Sequence, residues 1–122
     1  SEDAYRMAAM KTITEMQYRF VAQTEQAIEH AIASGYPIVI GIQVFDDLIS
    51  DKVRKSGVLP MPSKGKNPIG GHAVVIMGYN RVDRTFLVRN SWGKEWGKSG
   101  NFTIPYDYVL DPSLAFDFCV LK

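Results

Sequence analysis

The sequence predicts an α+β fold: an antiparallel, β-barrel-like sheet of about four to six strands with helices flanking its outside. Three observations carry that prediction. Ile38–Val44 is a β-branched, almost wholly apolar run of the kind that fills a buried strand. From His72 onward the chain alternates short β-branched and aromatic runs with polar or Gly-rich breaks. Only one stretch, Glu25–Ser34, combines a helical apolar stripe with both end signals.

Taken in order, Ser1–Met10 opens with Ser, Glu and Asp ahead of Ala/Met-rich sequence and reads as a short helix. Residues Thr12–Ala22 fit either a helical face (Ile13, Met16, Phe20, Val21) or strand alternation (Tyr18, Phe20, Ala22). In the helix Glu25–Ser34, Thr24 caps, Ala27, Ile28, Ala31 and Ile32 line one side, Gly35 stops it and Pro37 blocks continuation. Asp46–Gly71, with its Pro/Gly patches, reads as a long surface excursion with a short helix near its start. His72–Tyr79 and Thr85–Ser91 flank the polar turn Asn80–Arg84 and form a hairpin. Trp92–Gly100 is a loop and Asn101–Ile104 a strand. Pro105–Pro112 is turn-like, and in the last strand, Ala115–Leu121, Phe116, Phe118 and Val120 alternate with Asp117 and Cys119.

Composition excludes several classes. The chain has 122 residues, enough for one modest domain or one lobe of a larger one. A formal charge of +1 does not suit a strongly basic nucleic-acid binder, and no apolar stretch approaches a membrane span, so neither nucleic acid nor a membrane is an expected partner. With 46% hydrophobic and 22% charged residues the chain is not disordered in character. A single Cys makes neither an internal disulfide nor a zinc site of the four-cysteine or two-cysteine, two-histidine kind, and Asp46, Asp47 and Asp83 lack metal-ligand spacing. The lysines and arginines of the long loop, from Lys52 to Lys66, read as a solvated surface.

Two histidines are present. His30 lies on the polar side of its helix and reads as an exposed surface residue. His72 opens a strand directly after Gly70-Gly71, where two glycines leave one flank of an imidazole open. Imidazole can take up and return a proton near neutrality, so this is a good position for a general base. The hairpin brings Asn90, at the end of the return strand, near His72. An amide oxygen can accept from one ring nitrogen, fix the ring's orientation, and leave the other nitrogen for chemistry. Trp92 is placed to cover that bond from water.

The strings Gly70-Gly71-His72-Ala73-Val74-Val75-Ile76-Met77-Gly78-Tyr79 and Asn90-Ser91-Trp92-Gly93-Lys94-Glu95-Trp96-Gly97-Lys98-Ser99-Gly100 resemble the His and Asn blocks of the papain family of cysteine peptidases. The stretch Ile32–Ile42 resembles the segment that precedes the His block. The resemblance extends over essentially the whole chain but over the C-terminal, β-rich half of the family fold alone, its right-hand lobe. It implies a cysteine-type peptidase acting on peptides or proteins, with no cofactor and no metal. His72 would be the base, Asn90 its orienter and Trp92 the shield. The backbone carbonyl of Gly71 would face substrate. Gly41 and Ala73 would line the pocket for the residue two before the cleaved bond, with its far end near Ala115–Asp117. Small residues at Gly41 and Ala73 would leave that pocket roomy for an apolar side chain. The resemblance points to secreted and lysosomal or vacuolar settings, and the lack of disulfide partners to microbial or viral relatives.

The family's nucleophile precedes its His block by roughly 130–150 residues. Here 71 residues precede His72, none of them Cys. Cys119 sits in an apolar β run with no helix start or cationic neighbour, and reads as a buried structural residue. Residues 1–122 are therefore expected to form one lobe, inactive alone, with a Cys-bearing N-terminal lobe or chain as partner and an apolar face toward it. The chain could be the second fragment of a processed peptidase, an expressed C-terminal fragment, or a natural half-protein acting as a binding or regulatory module. Retention of His72, Asn90 and Trp92 together favours the first two.

Overall fold

The computed structural model describes residues 18–90, 96–97 and 99–121. The helix expected in Ser1–Met10 lies outside them. Six strands form one sheet: β1 (Tyr18–Phe20), β2 (Ile38–Val44), β3 (Gly70–Asn80), β4 (Thr85–Arg89), β5 (Asn101–Pro105) and β6 (Ala115–Leu121). Their spatial order is β1-β6-β2-β3-β4-β5, and every pairing is antiparallel. The α+β, antiparallel architecture is the expected one. The ladder is not closed into a ring: β1 and β5 are its two edges, and no pairing joins them among the described residues. The ambiguous stretch resolves at its end as the short edge strand β1.

Helix α1 (Glu25–Ala33) begins where the Thr24 side chain accepts a hydrogen bond from the Ala27 amide at 3.2 Å, and ends at Gly35 with φ +90°. Its Ile28 enters the core. The excursion after β2 is more ordered than its composition suggests. A 3-10 turn (Asp46–Ile49) leads into α2 (Asp51–Ser56), capped by Ser50 and closed by Gly57 in the left-handed conformation at φ 70°. The chain then docks on β5: Leu59 N donates to Thr103 O and Thr103 N to Gly57 O. That contact covers part of an edge that would otherwise present unpaired backbone. β3 starts at Gly70, so both glycines belong to the strand rather than to the loop before it. The turn-like stretch after β5 contains one helical turn, α3 (Tyr106–Val109).

β2 alternates strictly between buried and half-buried positions. Ile38, Ile40 and Ile42 point into the core with Val74, Ile76, Phe86, Val88, Phe102 and Ile104, all nearly inaccessible to water. At about 1.5–3 kcal/mol for each large apolar side chain buried, this layer outweighs any surface ion pair. Val39, Gly41 and Gln43 face the other side of the sheet, as do their β3 partners Val75, Ala73 and Gly71. The sheet therefore has a packed face and a second, partly exposed one.

One polar cluster is built into the packed face. Glu29 on α1 is 6% exposed. Its Oε1 accepts from Arg81 Nε at 2.9 Å, and its Oε2 from the Tyr106 hydroxyl at 2.7 Å. Tyr106 stacks on Phe86 at 4.2 Å, and the Arg84 guanidinium lies 4.8 Å above its ring. Both carboxylate oxygens are thus satisfied by a charge and a hydroxyl, the condition under which a buried acid is tolerated. The Arg81 hydrogen bond holds the Glu29 carboxyl below the usual carboxylate range, and the Tyr106 bond adds to it.

Candidate active site

The hairpin places His72 and Asn90. Across β3 and β4, Val75 pairs with Arg89 and Ile76 with Val88. Asn90 follows β4 immediately, and its backbone amide donates to Gly100 O at 3.0 Å, which holds the strand end in place. His72 lies three positions before Val75 on the opposing strand, diagonal to Asn90. His72 Nε2 and Asn90 Oδ1 are 2.9 Å apart. An amide oxygen only accepts, so Nε2 is the protonated nitrogen of the neutral ring. Asn90 is 6% exposed while His72 is half-buried. Water is therefore kept from the amide end of the bond more than from the imidazole. A Cβ placed on Gly70 would meet nothing within 4 Å, so the approach to β3 just before His72 is open.

Trp92, expected to shield this bond, lies outside the described residues. Trp96 is buried and packs edge-on against Phe102 at 5.4 Å and 89°. Gly97 has φ +61° and donates its amide to Arg54 O, and a Cβ there would lie 2.4 Å from Asn101 O. Glycine is required at this point of the loop, and the loop is tied to α2.

The other expected site residues separate into two groups. Gly71, Ala73 and Gly41 lie together on the partly exposed face: Gly71 pairs with Gln43 and Ala73 with Gly41. Ala115 does not join them. It pairs with Ile42, points into the core and is 0% exposed, so it cannot touch a substrate. Its neighbour Phe116 pairs with Gly41 and takes its place on that face. The reading of Phe116, Phe118 and Val120 as one alternating set fails here. Between Val39 and Gly41 the β2–β6 register slips, and Asp117, with φ 58°, is the extra residue of a β-bulge. Phe118 and Val120 enter the core, while Phe116 turns to the opposite side. An Asp before an apolar residue in a final strand was the one sequence signal for this, because Asp tolerates the left-handed conformation better than most residues.

Cys119 is wholly buried and pairs with Val39. His72 pairs with Ile42, three residues along β2, about 10 Å away at ordinary strand rise. Burial, and then the nearby Asp117, push the Cys119 thiol up, the opposite of the activation a nucleophile needs. The structural reading of this residue stands. His30 is exposed on α1, where it borders a surface groove of about 340 Å³ with Phe20, Tyr36 and Val120.

Comparison with known proteins assigns the family. Residues 2–110 match the family model described as papain family cysteine protease. The chain is 42% identical over 126 aligned residues to an uncharacterized peptidase C1-like protein of Acanthamoeba polyphaga mimivirus, covering 98% of this chain and 40% of that protein. It is 37% identical to pro-cathepsin H of Medicago truncatula over 81 residues, 64% of this chain and 22% of that one. Among solved structures, the crystal structure of xylellain, a cysteine protease from Xylella fastidiosa, superimposes with a TM-score of 0.80 at 37% identity, covering 87% of this chain and 39% of that one. The chain thus spans about two-fifths or less of the relatives it matches. With the expected α+β lobe, the two sequence blocks and these likenesses in agreement, this chain belongs to the papain family of cysteine proteases.

Proposed function

We propose that this chain supplies the base, its orienter and one wall of the substrate cleft to a cysteine-type peptidase. The observation that carries the reading is the 2.9 Å bond from His72 Nε2 to Asn90 Oδ1 at the open end of β3. With Nε2 engaged by the amide, proton transfer falls to Nδ1. The nucleophilic Cys comes from a lobe outside these 122 residues, because the one Cys present is buried, its thiol pushed up, and set apart along the sheet. Nδ1 takes the proton of that thiol, and the thiolate attacks the peptide carbonyl. The imidazolium then gives its proton to the departing amine. Water hydrolyses the resulting thioester with His72 as base, which restores the thiol. Trp92 shields the His72–Asn90 bond, the carbonyl of Gly71 faces the peptide backbone, and Gly41 and Ala73 contact the side chain two residues before the cleaved bond.

The test is made on the full-length gene product purified from its source. Intact mass spectrometry identifies whether a Cys-bearing segment is linked to, or co-purifies with, this chain. A thiol-directed label then reports on the nucleophile, and peptide hydrolysis is measured before and after His72→Ala. Labelling of one Cys outside these residues, with hydrolysis lost in the variant, is the expected result. A native protein with no further Cys and no hydrolysis would instead leave a binding or regulatory half-domain.

A further inference from the structure

A short relay of backbone hydrogen bonds runs from α2 to Asn90. Asn90 N donates to Gly100 O at 3.0 Å, and Gly100 N donates to Trp96 O at 2.8 Å. The turn closed in this way reaches α2 through Gly97, whose amide donates to Arg54 O at 2.8 Å. Arg54 lies in the last turn of α2, where carbonyls lose their helical donors. The amide four residues on, Val58 N, donates to the Ser56 hydroxyl at 3.2 Å instead, so the Arg54 carbonyl is left for Gly97.

The two backbones meet at glycines. Gly57, which ends α2, has φ 70°, and Gly97 has φ 61°. A Cβ on Gly97 would lie 3.6 Å from Gly57 Cα and 2.4 Å from Asn101 O. The second of these is the main chain of β5, which cannot swing aside as the end of a side chain can. Asn101 pairs with Arg89, the residue before Asn90, so displacing it moves the strand end from which Asn90 projects. α2 itself is fixed, because Val53 is buried in the core and Gly57 O accepts from Thr103 N on β5. The tolerance at the other end of the relay is small. A shift of about 0.7 Å in the Asn90 amide takes its 2.9 Å bond to His72 Nε2 out of hydrogen-bond range.

We propose that Gly97 is a positioning residue: by letting its turn close on the C-terminal end of α2, it sets Asn90 Oδ1 at bonding distance from His72. α2 is then a brace for the orienter and more than a surface excursion. This rests on the peptidase reading above.

The test uses the full-length protein and one fluorogenic peptide, with kcat and KM separated and each assay run well below the unfolding transition. Gly97→Ala is expected to lower kcat by about 10–100-fold, up to the loss that a 1 Å misplacement causes, with KM within about two-fold of wild type. The decisive comparison repeats the substitution in an Asn90→Ala background, where the orienting bond is already gone. There it is expected to lower kcat by less than about two-fold, since residues that act through one bond are not additive. Equal losses in the two backgrounds mark a general structural defect and overturn the proposal, as does wild-type kcat in Gly97→Ala.

If Gly97→Ala does not fold, α2 is loosened from its other end. Ser50 caps it, the hydroxyl accepting from Val53 N at 3.3 Å. Ser50→Ala is expected to lower kcat by about 2–5-fold, and Ser50→Asp, which also caps, to stay near wild type. An unchanged kcat in Ser50→Ala, or the same loss again in the Asn90→Ala background, overturns the proposal. All of these results leave the peptidase reading standing. A wild-type protein that takes no thiol label and cleaves no peptide removes that reading and the proposal with it.

Discussion

The two ends of β3 carry two polar arrangements of opposite design. Just past its far end, Arg81 meets Glu29, and Tyr106 closes the remaining carboxylate oxygen. Opposite charges, a buried acid and an aromatic stack hold that cluster together. Near its start, His72 is held at Nε2 by the side-chain bond to Asn90, with the imidazole only half-buried. The first arrangement satisfies its groups so that α1, the β3–β4 turn and α3 stay joined. The second fixes one nitrogen of a ring and keeps the ring near solvent. The difference teaches that burial and charge mark where the lobe is held together, while the proposed chemistry draws on a neutral bond near the end of an interior strand.

The comparison breaks most visibly at His72. In the full-length protein, His72→Ala is expected to lower kcat by about 10⁴-fold or more, measured with a fluorogenic peptide. If hydrolysis survives that change, the near end of β3 is not the catalytic end. Asn90→Ala removes an orienting bond and not the base, so a loss of about 10²-fold in kcat is expected, read as kcat separately from KM. Because Asn90 is buried, its denaturation midpoint is measured alongside, to separate misorientation from partial unfolding.

At the far end the effect moves from rate to stability. Glu29→Gln is expected to cost about 2–3 kcal/mol in urea denaturation, since it leaves Arg81 and Tyr106 with a weaker partner in a buried place. Its kcat/KM well below the unfolding transition should match wild type. The pH dependence has a definite sign. The Glu29 carboxyl lies below its unfolded value of 4.5, chiefly through the Arg81 hydrogen bond. Its contribution is therefore fully present above about pH 4.5 and disappears as pH falls through the folded value. Wild type should lose stability in that window, and Glu29→Gln should lack that part of the loss. The smallest effect is at the surface. Lys66 bonds Asp46 at 2.7 Å, and each partner shifts the other toward its charged form. Both are solvated, so Lys66→Ala should leave the denaturation midpoint within error of wild type.

How far each arrangement could be read from sequence follows from the range of the interactions behind it. The Thr24 cap and the Gly35 stop of α1 act within a turn of their own helix, and both are where the sequence puts them. The His72–Asn90 encounter depends on one hairpin. The polar turn after Asn80 is closed by the Asn80 side chain accepting from the Val82 and Asp83 amides, which brings the two strands back together, while a bulge between Ile76 and Gly78 sets their register near His72. Glu29 was not legible in this way. Its partners Arg81 and Tyr106 lie 52 and 77 residues on, and nothing local distinguishes it from an exposed helical acid. Ala115 and Phe116 were exchanged for a related reason. Period-two alternation holds only while the register does, and the bulge at Asp117 is set by how β6 meets β2 across the sheet.

The sequence by itself determined the lobe's class, the helix with its caps, the hairpin, the His and Asn blocks, and the unsuitability of Cys119 as a nucleophile. Each of those rests on residues close together in the chain or joined by one turn. The tertiary structure alone decided that, among the described residues, the sheet stays open between β1 and β5, that Glu29 is held among Arg81 and Tyr106, and that the Phe116 ring and not empty space lies over Gly41. Those outcomes depend on register between distant strands, where one inserted residue moves a side chain from one face of the sheet to the other.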